Sequence, residues 1–315
     1  MTDPLVSILI LTRNGIATLP ATLNRIAEQK CDFPLEVVAV DSGSTDGTAE
    51  LLTRRVDRLI PIPPASFNHG GTRNLGIGHC GGELVVLLVQ DALPASDDWL
   101  TALARPLLED ERVAGAYARQ IPRPDADAVT RYYLEGYQGC SETPREASVS
   151  SPEDFARLPA LDRLALCTFD NVCSCIRRSA WRVHPFPAAT IAEDVEWARE
   201  VLLAGHRLAY VPSAAVIHSH HRSARYELDR TYLIHQRLHA LFGLSTVPTA
   251  RHLVRAVMVS LVAHGRRVIA DRAHRRPTLA AWWRAAALAV AFPLGQYLGA
   301  RSSRTGRSLH RTGRV

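Results

Sequence analysis

The stretch LVVLLVQDALP, residues 84–94, decides how this chain is read. An apolar run over 84–89 stops abruptly at Gln90-Asp91, and Pro94 closes the turn. A short apolar run bounded by turn residues reads as a strand buried on both faces. Asp91 then stands at the C-terminal edge of that strand.

Working outward, LVSILIL (5–11) and LEVVAV (35–40) read as two more buried strands, the second ending in Asp41. A short strand is expected near 58–60. Helices are expected over 17–29, around 71–77, and over SDDWLTALARPLLED (96–110), which starts at a Ser/Asp cap. SGSTDGTAELLTRR (42–55) reads as a Gly-rich loop, then a helix capped by Ser44, Thr45 or Asp46. Strands alternating with helices of this length predict an α/β fold: a Rossmann-like, mostly parallel sheet with helices on both faces. In such sheets ligands bind outside the carboxyl ends of the strands. Thr12-Arg13-Asn14, Asp41 and Gln90-Asp91 would all gather along that edge. The plainer reading makes each a turn or cap residue.

Composition narrows the function classes. Of 315 residues, 47% are hydrophobic, enough for a sizeable core. No GxGxxG follows the first strand and no GxxxxGK[ST] occurs, which argues against hydride transfer and P-loop chemistry. The six cysteines form no CxxC pair and read as buried, reduced thiols. With no secretory signal at the start, a cytoplasmic location is expected. Charge is unevenly spread. From Thr249 onward there are 13 Arg, no Lys and one acid, Asp271, about +12 against +6 for the whole chain. Residues 1–248 therefore carry about −6. The basic tail points to an anionic membrane surface on the inner face of the cell membrane. Nucleic acid is disfavoured, because interleaved aromatics and a reading motif are missing.

The tail is expected to be helical: 225–242, then a mix of apolar and Arg positions, then LAAWWRAAALAVAFPLGQYLG (279–299). Arg284 and Pro293 interrupt that last run, so an interfacial helix with Trp282 and Trp283 at headgroup level is favoured. A membrane span and a helical lid are the alternatives.

Three further stretches carry candidate chemistry. SFNHGGTRNLGIGHCGG (66–82) embeds Asn68, His69, Arg73 and Asn74 among glycines that let backbone approach a ligand. Arg73 offers a planar donor to a phosphate or to a carbonyl-bearing base. FDNVCSCIRRSAWRVHPFP (169–187) reads as a strand and a Pro-rich turn. After it, Glu193-Asp194 opens a helix carrying Trp197, then come Gly205, a strand RLAYV, and His218, His220 and His221. Acids at a helix N-terminus are often only dipole partners. Asp91 together with a late histidine gives the oxygen-plus-imidazole mixture that suits Mg²⁺ or Mn²⁺ on a phosphate.

Together, VSILILTRNG, VVAVDSGSTDGT, LVVLLVQDALP and AEDVEWAREVLLAGHRLAYVPSAAVIHSH resemble family 2 glycosyltransferases of the GT-A fold, over roughly residues 5–240. FNHGGTRN, QDALP and HSH resemble the bacterial rhamnosyltransferase branch. The resemblance implies a catalytic domain over 1–240 and an Arg-rich helical region over 241–315. It implies that Thr12, Asn14, Asp41, Asn68, His69, Arg73 and Gln90 bind a nucleotide-sugar. It makes Asp91 the last acid of an acid-x-acid metal motif whose first acid is replaced by Val89, with His218, or else His220, as the late ligand of Mg²⁺ or Mn²⁺. It makes Asp194 the base that deprotonates the acceptor, with Glu193 and Trp197 beside the acceptor. The implied activity is inverting transfer, with L-rhamnose from dTDP-L-rhamnose as the first donor. Another UDP-, GDP- or dTDP-sugar is the alternative, as is a non-catalytic nucleotide-sugar-binding protein. The implied acceptor is a saccharide or polyprenyl-linked saccharide of a bacterial envelope polysaccharide.

Overall fold

The computed structural model describes residues 5–271 and 278–305. The strands are β1 (Val6–Thr12), β2 (Leu35–Asp41), β3 (Arg58–Pro61), β4 (Leu84–Val89), β5 (Leu93–Pro94), β6 (Val113–Ile121), β7 (Arg145–Ala147), β8 (Cys173–Arg177) and β9 (Arg207–Ile217). The helices are α1 (Leu19–Ala27), α2 (Thr48–Arg55), α3 (His69–Gly78), α4 (Trp99–Glu109), α5 (Ala128–Glu135), α6 (Pro152–Arg157), α7 (Ala160–Leu166), α8 (Arg178–Val183), α9 (Glu193–Leu203), α10 (Ala224–Phe242), α11 (Ala250–Ala270) and α12 (Leu279–Thr305).

The chain divides into two compact units. The first comprises residues 1–123, 137–158 and 165–218, and the second residues 124–136, 159–164 and 219–315. The boundary after His218 differs from the division at 240 read from the sequence. The reason is packing: α10 lies along α12, so it belongs with the tail.

The first unit is built on one sheet, ordered β3-β2-β1-β4-β8-β6-β9-β5, with β7 also on β9. β3, β2, β1 and β4 are parallel neighbours. β8 runs against both β4 and β6, and β9 returns parallel to β6. Hence six strands (β1–β4, β6, β9) point one way, and β5, β7 and β8 oppose them. β1 and β4 are apolar because both of their faces are buried. α1 presents Leu19, Leu23 and Ile26 to this core at helical spacing, and α4 presents Leu100, Leu103 and Leu107. Cys80, Cys173 and Cys175 are buried thiols, and no disulfide forms among the described residues. Register does the positioning. Thr12 pairs with Asp41, and Leu11 with Val89, so the ends of β1, β2 and β4 line one edge.

Local details differ from expectation at α2. Its N-cap is Gly47, at φ 94°, and not one of the three polar residues before it. Glycine takes this left-handed conformation without a Cβ clash. The polar residues instead organise the adjoining loops, as described below.

In the second unit, α10 and α12 approach closely. A Cβ on Gly299 would lie 2.3 Å from the Tyr232 carbonyl oxygen, and one on Gly295 2.9 Å from that of Leu228. The Tyr232 hydroxyl donates to Ser302 Oγ at 2.7 Å across the same seam. α5, α11 and α12 share a small apolar cluster of Val129, Val268, Ala285 and Leu288. Among the described residues no helix is long and apolar enough to cross a membrane, which removes the span considered for 279–299. The Arg residues at 272, 275, 276, 307, 311 and 314 lie outside the described residues.

Gly299→Leu overpacks the α10–α12 seam. It is expected to lower stability by about 1–3 kcal/mol, despite a helix-propensity gain of about 1 kcal/mol. Urea unfolding of the full chain measures this.

Candidate functional site

The edge formed by β1, β2 and β4 is tied together by hydroxyl and carboxylate groups. Thr12 Oγ1 donates to Asp41 Oδ1 at 3.0 Å. The same carboxylate accepts from Ser44 Oγ (2.5 Å) and Ser44 N (2.9 Å). Asn14, at φ 48°, donates its backbone N–H to Ser44 Oγ at 2.8 Å and accepts from Thr45 N at 2.9 Å through its side chain. The SGSTDG loop is thus folded around Asp41, and Asn14 lies exposed at its rim.

Gln90 has a different task from the one expected. Its Oε1 accepts from Arg13 N at 3.0 Å, and its Nε2 donates to Arg13 O at 3.1 Å. The amide clamps the peptide of the loop after β1 onto the end of β4. Gly15 leaves room for it: a Cβ there would meet Gln90 Oε1 at 2.4 Å. A carboxylate cannot make this two-way bond, because it cannot donate when ionised.

Asp91 faces His218 and Arg123. His218 Nε2 stands 3.8 Å from Asp91 Oδ1. Arg123 donates to the Asp91 carbonyl at 2.7 Å and stands 3.8 Å from its carboxylate. The imidazole is oriented from behind. Its Nδ1 lies 2.9 Å from Gln120 Oε1. The Gln120 amide nitrogen donates to the Asp170 carboxylate, so the amide oxygen is the acceptor. His218 Nδ1 then donates to Gln120, and Nε2 is the ring nitrogen that faces Asp91. Asp170 is held in turn by the Tyr137 hydroxyl at 3.0 Å and by Val172 N at 2.9 Å. Burial, and next the Asp170 charge, hold the Tyr137 phenol well above its usual pKa, so it remains a donor.

Two oxygen or nitrogen donors on one ion lie about 3–4 Å apart when each bond is near 2.1 Å. Asp91 and His218 meet that spacing with one carboxylate oxygen and one imidazole nitrogen. The donor chemistry fits a divalent ion of the Mg²⁺ or Mn²⁺ type. His220 follows two residues on, in the second unit.

The acid pair at the start of α9 separates into two roles. Glu193 is buried against Arg73, with Nη1 to Oε1 at 2.6 Å and the two side chains 6% and 7% exposed. Arg73 also donates to the His69 carbonyl at 3.2 Å, and Asn171 Nδ2 donates to Glu193 at 3.4 Å. This pair ties α9 to α3. Each was expected at the nucleotide or the acceptor; in the structure their charges meet each other. Asp194 is half-buried beside Asn171, whose N–H stands 3.5 Å from Oδ2, and it accepts from Val195 N at 2.8 Å. Burial, then the charges of Glu193 and Asp170, push its carboxyl up to about 8. Ala192 starts the helix at φ 58°, a left-handed conformation that is unfavourable for a residue with a Cβ.

Trp197 is 0% exposed. Its indole N–H donates to the His184 carbonyl at 2.8 Å, and its ring packs on Phe169 and Phe186. It is core, not a sugar platform, because the helix turn that follows the acids points into the sheet. Asn68 caps α3 by accepting from Gly71 N at 2.9 Å, and His69 packs edge-on against Phe67. Asn74 anchors the Pro-rich turn, accepting from Trp181 Nε1 and Phe186 N and donating to the Phe186 carbonyl.

Gln120, Arg123, Asp170 and Tyr137 escaped the sequence reading. Only their position at the end of β6, after α5 and before β8 brings them in, and neither β6 nor the direction of β8 was read from the sequence.

Comparisons with known proteins bear on the family and the fold. Residues 7–179, just over half of the chain, match the family described as Glycosyl transferase family 2. The chain is 30% identical over 208 residues to the O-antigen chain rhamnosyltransferase WbaN of Salmonella anatum, covering 65% of this chain and 63% of that protein. It therefore spans a little under two thirds of that relative. It is 29% identical over 233 residues to the O-antigen chain rhamnosyltransferase RfbN of Salmonella typhimurium, covering 72% and 70%. Among solved structures, the mannosyltransferase PcManGT from Pyrobaculum calidifontis, in complex with GDP-Man and Mn²⁺, superposes with a TM-score of 0.61 at 19% identity. That match covers 98% of this chain and 89% of that one. Glucosyl-3-phosphoglycerate synthase from Mycobacterium tuberculosis, with Mn²⁺, UDP and glucosyl-3-phosphoglycerate, gives 0.54 at 17% identity, covering 78% and 82%. These likenesses place the chain in the GT-A fold.

Gln90→Glu keeps the size of the side chain but sets a carboxylate oxygen against the Arg13 carbonyl. A loss of about 1–3 kcal/mol is expected from the broken bond, read as a lower urea midpoint. An unchanged midpoint would remove the clamp.

Proposed function

Because the chain belongs to glycosyl transferase family 2, we propose that it moves a sugar from a nucleotide-activated donor to an acceptor hydroxyl, with inversion and with Mg²⁺ or Mn²⁺. The observation that carries this reading is the acidic centre in which Asp91 and His218 lie at one end of a hydrogen-bonded chain through Gln120 to Asp170, and Asp194 lies within the field of Asp170. The donor is a deoxyhexose, dTDP-L-rhamnose, and the acceptor is a saccharide or polyprenyl-linked saccharide of a bacterial envelope polysaccharide. The names of the two Salmonella relatives, O-antigen chain rhamnosyltransferases, support the sugar and the polysaccharide; the dTDP carrier and the polyprenyl link rest on the sequence resemblance alone. Another UDP-, GDP- or dTDP-sugar is the alternative donor. A non-catalytic sugar-nucleotide binder loses its main support, since Gln90 is engaged with the Arg13 backbone.

In this reading Thr12, Asn14, Asp41, Asn68 and His69 form the nucleotide side of the site. Asp91 and the Nε2 of His218 would hold the divalent ion. The ion, when bound, neutralises charge that grows on the diphosphate as it leaves. Two protein ligands make metal affinity weak until the donor phosphates join. Arg123 places a second cation beside Asp91, where it also meets that charge. Asp194 takes the proton of the acceptor hydroxyl while the hydroxyl oxygen bonds to the anomeric carbon. The carbon–oxygen bond to the diphosphate breaks on the opposite side. A single displacement inverts the anomeric centre. Glu193, paired with Arg73, holds the start of α9, and with it the base, in place.

The donor is found by screening nucleotide-sugars with Mn²⁺ for thermal stabilisation, about 2.7 kcal/mol at a hundredfold excess over Kd. Asp194→Asn is expected to lower turnover by about 10²–10⁴-fold with nucleotide binding retained; parallel loss of both would reject the base assignment. The pH dependence follows from the raised carboxyl. Below about 8 Asp194 keeps its proton and cannot accept another, so kcat/KM rises with pH and levels off above about 8. Stability runs the other way. The folded state holds a proton that the unfolded Asp has released, so this group's contribution falls as pH climbs from about 4 to about 8. Asp194→Asn removes that slope, which thermal melts across the range detect.

Gln120→Leu removes the bond between the Gln120 amide and His218 Nδ1. Mn²⁺ affinity in the presence of nucleoside diphosphate is expected to fall about 10–100-fold by calorimetry. An unchanged affinity would separate His218 from the metal.

A further inference from the structure

We propose that α11 docks its outward face on an anionic phospholipid bilayer. The sequence pointed to 279–299 for this role, but α12 commits one side to α10 through Gly295 and Gly299. α11 is built the other way round from an ordinary surface helix. It turns His264 and Val268 inward, where His264 is held by the Ala285 carbonyl and the Tyr133 hydroxyl. Outward it turns Val254, Met258, Val262 and Ile269, which are 65%, 59%, 53% and 50% exposed. At steps of four, four and seven residues these form one row.

Arg251, Arg255 and Arg266 stand on the same side of the helix, all exposed, around the apolar middle. The 21 residues of α11 include no acid. Asp271, just past its end, stands 3.7 Å from Arg131. α12 adds exposed Leu279 and Trp283, the latter 70% exposed, on a row of its own. Apolar side chains ringed by Arg match the boundary between headgroups and acyl chains, and a Trp suits the same depth.

Charge selects the occupant. In a symmetric pairing of two copies through this face, the Arg ends would meet the apolar or Arg positions of the partner with no acid to receive them. A nucleic acid would meet the Arg but leave the apolar row unrewarded. An anionic bilayer satisfies both. This inference stands independently of the donor and acceptor chemistry.

The test is co-sedimentation of the full chain with vesicles of phosphatidylcholine, alone or mixed with phosphatidylglycerol. Binding is expected to the mixed vesicles and to weaken at high salt. Met258→Glu with Val262→Glu is expected to lower it about tenfold or more, and Arg251→Ser with Arg255→Ser to remove the preference for the anionic lipid. All four positions are exposed, and an unchanged thermal midpoint for each variant certifies the fold. Transfer to a soluble acceptor by the same variants should remain at the wild-type level, which keeps failure here distinct from failure of the transferase reading. Equal or absent binding to both vesicle types overturns the proposal. So does a salt-insensitive dimer in sedimentation that the Glu substitutions dissolve, since the face would then belong to a second copy.

Discussion

The buried ion pair between Arg73 and Glu193 is the constraint on which the acidic centre depends. Three carboxylates, Asp170, Glu193 and Asp194, come from the loop before β8 and the start of α9. Left alone they would repel one another in a partly dry place. Arg73 neutralises one of them at 2.6 Å and anchors the first turn of α9 to α3. The cost is a guanidinium withdrawn from water, which is recovered only because the partner is fixed and further bonds come from the His69 carbonyl and Asn171. Burial, then the charges of Glu193 and Asp170, act on Asp194, the condition that makes a carboxyl hold its proton strongly.

Two glutamines do parallel work in this unit. Each amide sits where one neighbour must receive a hydrogen and the other must give one. Gln90 spans both groups of the Arg13 peptide, and Gln120 spans Asp170 and His218. The polarity of an amide is fixed once one end is assigned, so it transmits orientation from one partner to the next. At Gln120 this carries the order imposed by a carboxylate through to an imidazole whose outer nitrogen faces Asp91. At Gln90 it locks a loop that would otherwise move independently of the sheet edge.

Much of the parallel half of the sheet could be read directly. LVSILIL, LEVVAV and LVVLLV are long apolar runs buried on both faces, and the Asp41 and Asp91 positions follow from where the runs end. The helix opening at Glu193 was also readable from its acids and Gly205 stop. Side-chain roles were harder. An Arg in a Gly-rich stretch, a Gln beside an Asp and a Trp on a helix look the same in sequence whether they meet a ligand or one another. Arg73, Gln90 and Trp197 turned inward because partners far along the chain, Glu193, Arg13 and Phe169, are brought to them only by the folded topology. Gln120 and Asp170 carry no local mark at all; parallel β6 and β9 set Gln120 beside His218, and the chain entering β8 brings Asp170 to Gln120.

The placement of β8 also governs how the first unit is assembled on the ribosome. β6 leaves the exit tunnel well before β8, yet it reaches the β3-β2-β1-β4 half only through β8. Until residue 177 has emerged, β4 is a nascent edge with Val and Leu on both faces and no neighbour on one side. At about 5–20 residues per second, that vacancy lasts on the order of ten seconds. Demand for a holding chaperone should therefore be concentrated in that interval of translation, and should drop once five residues, CSCIR, join the two halves.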